Sequence, residues 1–357
     1  MGRGCCSLEA VEPGLQIRED VPLAPFTTLG IGGPARYFAG ATTEEHVEAA
    51  VAWARERGMR LFVLGGGSNL LVRDGGFDGL VLQMRIAGVS RGEEGRLEAG
   101  AGEGWDGFVD FAIGLGLAGV ECLAGIPGSV GGTPVQNVGA YGQEVAETIE
   151  TVRAFDRETM MWVEIDRAGC RFRYRESLFN TDEPGRYIVT RVRFKLTPGG
   201  QPELRYADLQ RRFAGREKPT LAEVARTVRE IRREKGMLLV EGDADCRSAG
   251  SFFKNPIMKE EMLARIALAA GVEESKVPHW TAGEGKMKLP AAWLLERAGF
   301  VKGYGEGRAR ISSRHTLALT NRGGATCADV ERLQMEIVDA VKQRFGITLE
   351  REPVLVG

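Results

Sequence analysis

Histidine and paired cysteine are scarce. The 357 residues hold three histidines and six cysteines, with no C-x-x-C and no H-E-x-x-H, so no metal site is expected. A chain of this length needs no disulfide staples, and Cys5, Cys6, Cys122, Cys170, Cys246 and Cys327 are read as reduced thiols without a redox role. No excess of one charge exists either: 47 Lys and Arg against 49 Asp and Glu leave a formal −2. A broad basic footprint for nucleic acid is therefore not expected. No apolar run approaches the ~18–20 residues of a membrane span, and the first residues lack the apolar centre of a signal peptide. Cys6 stands where myristoylation would want Ser or Thr. These absences lead to the expectation of a cytoplasmic protein without membrane or nucleic-acid partners. What the chain has in excess is glycine, 49 residues, roughly twice the usual share.

Residues 1–18 show no period and read as a tail. Thr42 with Glu45 predicts a capping box for a helix carrying Val47, Ala50, Val51 and Ala54 inward, closed by Gly58. Strands are predicted at 60–64, 70–72, 79–82, 152–155 and 188–196, and a helix over 105–115. Thr220 with Glu223 opens a helix to Lys235, with Leu221, Val224, Val228 and Ile231 on one face and Arg and Lys on the other. Beyond it, helices are predicted near 258–270, 289–298 and 326–345, and a strand around 316–320. Gly346 stops the last helix. Boundaries are placed near 85 and 235.

Three glycine segments invite a nucleotide reading. Gly30-Ile-Gly-Gly-Pro-Ala35 formally matches the dinucleotide fingerprint, but no buried strand precedes it and Arg-Tyr-Phe follows, so a Rossmann unit is rejected. No G-x-x-x-x-G-K-[ST] is present. Leu64-Gly-Gly-Gly-Ser-Asn69 is either a glycine turn or a nest of backbone N–H groups for an anion, with the two readings equally supported. Ala124 to Gly142 is a long, nearly uncharged loop that can lie against an extended ligand. Two such loops suggest a large nucleotide cofactor.

Gly65 to Asn69 and Gly125-Ile-Pro-Gly-Ser-Val-Gly-Gly132 resemble the two flavin-pyrophosphate loops of the FAD-binding fold of the vanillyl-alcohol-oxidase (PCMH) type. Pro134-Val-Gln-Asn-Val-Gly-Ala-Tyr-Gly142, Tyr174-Arg-Glu-Ser-Leu-Phe179, Gly250-Ser-Phe-Phe-Lys-Asn-Pro256 and Leu349-Glu-Arg-Glu352 follow in order. Together these blocks resemble the UDP-N-acetylenolpyruvoylglucosamine reductase family, from about Phe26 to the C-terminus, with departures at Thr133 and Pro353. The resemblance implies an α+β chain: FAD-binding subdomains at 19–85 and 86–235 and a C-terminal α+β substrate domain at 236–357. It implies an NADPH-dependent oxidoreductase of peptidoglycan precursor synthesis. Hydride passes through FAD to the β-carbon of UDP-N-acetylglucosamine enolpyruvate, giving UDP-N-acetylmuramate. No histidine lies in either flavin loop, so the FAD is expected to be non-covalent; a monomer is expected.

By the same resemblance, cofactor contacts come from Gly65, Gly66, Gly67, Ser68 and Asn69, and from Gly125, Ile126, Pro127, Gly128, Ser129, Gly131 and Gly132. Asn137, Gly139, Ala140, Tyr141 and Ile188 complete that set. Arg175 is expected to fork onto the substrate carboxylate; the alternative is an ion pair with Glu176. Ser251 is the expected proton donor to the α-carbon, against a capping or turn serine. Glu352 is expected to polarise the enolate, with Glu350 as the competing carboxylate. Substrate contacts are expected from Tyr174, Tyr206, Lys235, Lys254, Asn255 and His315. Tyr206 sits in an insertion that, in one class of the family, caps the substrate. Lys235 is alternatively a solvated lysine, Tyr206 a half-buried strand tyrosine, and His315 a packed side chain. Two other readings remain: a flavin oxidase of this fold on another small substrate, and a non-catalytic nucleotide-sugar binding module.

Overall fold

A computed structural model describes residues 9–11, 14–215 and 218–357. The chain divides into two units. The first takes the described residues of Met1–Val21, Pro34–Gly67 and Phe77–Arg233; the second takes Pro22–Gly33, Ser68–Gly76 and Glu234–Gly357.

In the first unit, one sheet runs in the spatial order Glu9–Val11, Leu15–Pro22, Pro34–Ala41, Phe77–Met84, Arg60–Leu64. Phe77–Met84 lies parallel to both of its neighbours. Its Leu80, Val81 and Leu82 are consecutive and buried, as a strand covered on both faces requires. The second sheet, antiparallel throughout, runs Met161–Asp166, Ile149–Asp156, Tyr187–Lys195, Arg96–Gly100, Val89–Arg91. Helices α1 (Glu44–Glu56), α2 (Trp105–Gly114), α3 (Ala207–Arg212) and α4 (Leu221–Glu234) complete the unit. Phe108 of α2 packs 4.6 Å from Phe194 of the central strand, and the Trp105 indole N–H donates to the Leu123 carbonyl. The expected division at 85 falls between the two sheets, which share one hydrophobic core.

The second unit has its own core, around α5 (Leu263–Ala270), α6 (Ala291–Arg297) and α7 (Cys327–Phe345). Val330, Leu333, Ile337 and Val341 of α7 are buried, a Thr326–Asp329 capping box opens it and Gly346 closes it in the left-handed region, as predicted. Asp245 is buried at the centre of a polar knot. It accepts from the Ser313 N–H and hydroxyl and from Arg322 (2.9 Å). Burial alone would raise its pKa, but the Ser313 and Ser312 hydrogen bonds and the Arg322 charge outweigh it and hold the carboxyl below the usual range.

Several sequence expectations are corrected. Part of the presumed tail is strand: Leu15 and Ile17 point into the core while Gln16 and Arg18 alternate outward. Two apolar residues are too short a run for a period to stand out. Cys5 and Cys6 lie outside the described residues. The cap of α1 is Thr43 rather than Thr42; its side chain accepts from the His46 N–H and Glu44 and Glu45 occupy the first turn. Residues 257–259 form a strand, Met258 pairing with Met287, and α5 starts only at Leu263. Pro22–Gly33 and Ser68–Gly76, inside the stretch read as the first subdomain, belong to the second unit. Leu70–Val72 there pairs in parallel with Val354–Val356. The strand Pro34–Ala41 follows the G-x-G-x-x-A match, and a Rossmann turn would be followed by a helix.

Candidate active site

The first unit holds the two glycine loops against each other. A Cβ on Gly66 would stand 2.5 Å from the Gly128 Cα and 2.9 Å from the Ser129 N. One on Gly65 would stand 2.9 Å from the Ser129 Oγ. Gly125 and Gly128 have φ of +70° and +132°, so side chains are excluded by conformation as well as by space. The Gly128 carbonyl accepts from the Trp105 N–H, and the Gly131 N–H donates to Ala101. Ser129 is buried, and its Oγ has no hydrogen-bond partner among the described residues. An orphan hydroxyl beside interlocked glycines is what a phosphate acceptor uses, and it fits the pyrophosphate of a dinucleotide.

Residues that sequence reasoning passed over hold this loop. The Gly125 N–H donates to the Asp106 carboxylate (2.6 Å) and its carbonyl accepts from Arg232 Nε (2.8 Å). Arg229 binds Asp106 through Nε and Nη2. Arg232 is buried, not solvated as the polar face of α4 suggested. The available signal was spacing, since Arg232 stands four residues beyond Val228 and flanks the apolar stripe. Buried Glu121 accepts from the Gly119 N–H and from Gln143 Nε2, whose amide oxygen receives the Cys122 N–H.

The next loop ends in a hairpin, Gly139–Ala140 against Gln143–Glu144, turned by Tyr141 and Gly142 at φ +50° and +87°, the mirror-image turn that such hairpins favour. Arg175 lies in a two-residue turn closed by hydrogen bonds in both directions between Arg173 and Glu176. Its φ is +59°, a conformation that costs a non-glycine residue about 1–2 kcal/mol. Arg175 Nη2 donates to the Gly139 carbonyl (2.9 Å), and the guanidinium carbon lies 5.5 Å from the Tyr174 ring. Glu176 pairs with Arg173. Tyr206 is the N-cap of α3, 41% exposed, and meets the Tyr141 ring edge-on at 5.4 Å; it is not a strand residue. Ile188 is buried within the strand Tyr187–Lys195.

In the second unit, Gly250 has φ +74° and Ser251 follows it, half-buried. The next residues bridge antiparallel to the C-terminal block, Phe253 opposite Arg351. The Lys254 N–H donates to the Glu350 carbonyl and the Glu352 N–H to the Phe252 carbonyl (2.9 Å). Asn69 clasps the same block, its Nδ2 donating to the Glu352 carbonyl and its carbonyl accepting from the Val354 N–H. Pro353 therefore leaves the register of Glu352 intact. Glu350 has a 76% exposed side chain, 3.7 Å from the Lys254 ammonium. Of the two carboxylates, Glu352 is the one joined both to the segment that follows Ser251 and to Asn69. The Asn255 amide oxygen accepts from the Ala291 N–H at the start of α6. His315 Nδ1 accepts from the Leu317 N–H, and Lys235 is half-buried. Among the described residues no group of His, Cys, Asp or Glu is placed to hold a metal ion, and no helix is long and apolar enough to cross a membrane. Burial pushes the Cys170 thiol up to about 12 and the Cys327 thiol up to about 11.

Comparison with known proteins decides between the remaining readings. A family model described as the UDP-N-acetylenolpyruvoylglucosamine reductase C-terminal domain matches residues 242–356, and one described as an FAD binding domain matches 35–161. The UDP-N-acetylenolpyruvoylglucosamine reductase of Streptomyces coelicolor is 50% identical, over 97% of this chain and 92% of its own. The chain belongs to the UDP-N-acetylenolpyruvoylglucosamine reductase family. The Thermobifida fusca reductase is 46% identical over 95% of this chain and 97% of its own. A crystal structure of the reductase from Thermus caldophilus superimposes with a TM-score of 0.66 at 28% identity, covering 96% of this chain and all of that one. The α+β class and FAD-binding fold expected from the sequence agree with these family members.

Proposed function

We propose that this protein reduces UDP-N-acetylglucosamine enolpyruvate to UDP-N-acetylmuramate with NADPH, through non-covalent FAD, in peptidoglycan precursor synthesis. The observation that carries the cofactor reading is the interlock of Gly66 with Gly128 beside the orphan Ser129 hydroxyl. Gly65 to Asn69 and Gly125 to Gly132 would hold the pyrophosphate. Held there, FAD would supply the hydride chemistry that carries two electrons from NADPH to the β-carbon of the enolpyruvyl group.

The chain's residues manage the charge and proton that remain. Addition at the β-carbon leaves negative charge on the α-carbon and its carboxylate. Arg175, held on the Gly139 carbonyl, meets that carboxylate with a fork of N–H donors. Ser251 delivers its hydroxyl proton to the α-carbon; a small neutral donor adds no repulsion there. Glu352 stabilises the enolate oxygen, and Tyr174, Tyr206, Lys235, Lys254, Asn255 and His315 contribute to holding the nucleotide sugar. A cytoplasmic monomer is part of the same reading.

The test is a spectrum of the purified protein. Flavin absorbance should bleach with anaerobic NADPH and recover on adding the enolpyruvyl nucleotide sugar. Protein that binds no FAD, or bleached flavin that the nucleotide sugar does not reoxidise, would contradict it.

A further inference from the structure

Asn137 was expected to contact the cofactor, yet the structure gives its side chain other work. It is 1% exposed and has φ +43°. Both amide hydrogens are used: Nδ2 donates to Glu144 Oε2 (2.8 Å) and to the Arg173 carbonyl (3.1 Å). Its Oδ1 accepts from the Ala146 N–H (3.2 Å). The amide thus joins Glu144, at the end of the hairpin, and Ala146 beyond it to the first residue of the turn that carries Arg175.

We propose that Asn137 is the positioning residue for Arg175. The Arg173 carbonyl also accepts the Glu176 N–H that closes the turn (3.2 Å), so Asn137 fills its second lone pair and fixes the turn against the loop. Two further bonds run between the same segments, Arg175 Nη2 to the Gly139 carbonyl (2.9 Å) and Ser177 Oγ to the Val135 carbonyl (2.6 Å). A left-handed arginine persists only where its surroundings over-determine it. Asn137 and Ser177 both make their ties from buried side chains that leave the guanidinium uninvolved, and of the two it is Asn137 that reaches the Arg173 carbonyl closing the turn. Asparagine suits the place because it tolerates the left-handed region and carries two donors and an acceptor on one short arm. Removing the donors releases the turn without removing the arginine.

This inference rests on Arg175 acting on the substrate, so the experiment separates the two. Asn137→Asp keeps the acceptor for Ala146 and loses both donors; Asn137→Gly keeps the backbone conformation without a side chain and serves should the aspartate fold poorly beside Glu144. Flavin content and the rate of bleaching by NADPH should match wild type in both. Reoxidation by the enolpyruvyl nucleotide sugar should fall on the order of 10–10²-fold, the effect of misplacing a reacting group by about 1 Å. Arg175→Lys alone should slow the same half-reaction, and adding Asn137→Asp to it should cost little more. Arg175→Lys slow with both Asn137 variants at the wild-type rate would overturn the positioning role alone, as would multiplicative losses in the double variant. Arg175→Lys at the wild-type rate would overturn the reading of Arg175 and the inference with it. Loss of flavin from folded Asn137 variants would return Asn137 to the cofactor set and overturn the inference.

Discussion

The interlocked glycine loops and the Arg173–Glu176 turn solve the same problem by opposite means. Each must hold backbone in conformations that ordinary residues avoid. The loops do it with glycine: Gly125 and Gly128 take positive φ freely, and Gly66 allows backbone to touch backbone. The turn does it with side chains: Arg175 takes positive φ while hydrogen bonds from its own guanidinium and from Asn137, itself at positive φ, tie the turn to the Gly139 loop. The difference follows from the work assigned. A pyrophosphate is met by backbone N–H groups and needs the side chains gone. A carboxylate needs a guanidinium, so the residue there must be arginine whatever its backbone costs.

Substitutions that exchange the two devices break the comparison. The largest effect is expected at Gly66→Ala, whose methyl group meets the Gly128 backbone rather than a movable side chain. The protein should purify soluble but poor in flavin, read as the ratio of flavin to protein absorbance. Full occupancy would mean that the loops do not hold the pyrophosphate. A smaller effect, present at neutral pH and lost in acid, is expected at Asp245→Asn. The folded protein holds this carboxyl below its ordinary range, so its contribution is present above about pH 4 and lost as pH falls through the folded value. Urea midpoints of wild type and variant should therefore differ at neutral pH and converge towards pH 2; parallel curves would contradict the assignment. The smallest effect is a gain. Gly107 lies inside α2 and a Cβ there would meet nothing within 4 Å. Gly107→Ala should stabilise by about 0.5–1 kcal/mol and leave flavin content unchanged, so glycine matters by position rather than by number.

The same contrast explains what the sequence disclosed. Glycine clusters are visible because a missing side chain is itself a signal, and the capping box and apolar stripe of α7 are local patterns that context did not override. The ties made by Asn137, Asp106 and Arg232 reach residues 36, 19 and 107 positions away, and no local pattern announces a hydrogen bond to a distant carbonyl. The shift from Thr42 to Thr43 is a choice between adjacent identical residues, which spacing cannot make. Met258 and Met262 mimic a helical period, but pairing with Met287 places the first in a strand. Ser251 and Glu352 were legible only through the family resemblance; what the fold adds is the backbone bridge between their segments.

The proposed mechanism stands on Ser251 delivering the proton to the α-carbon, separately from the hydride. Stopped-flow flavin absorbance of Ser251→Ala tests it most directly. Bleaching by NADPH should proceed at nearly the wild-type rate, because that half-reaction involves no α-carbon. Reoxidation by the enolpyruvyl nucleotide sugar should slow by a factor on the order of 10²–10⁴, the usual worth of a positioned acid. Ser251→Cys should recover part of the loss. Reoxidation of Ser251→Ala at the wild-type rate would show that another group delivers the proton and would contradict the account.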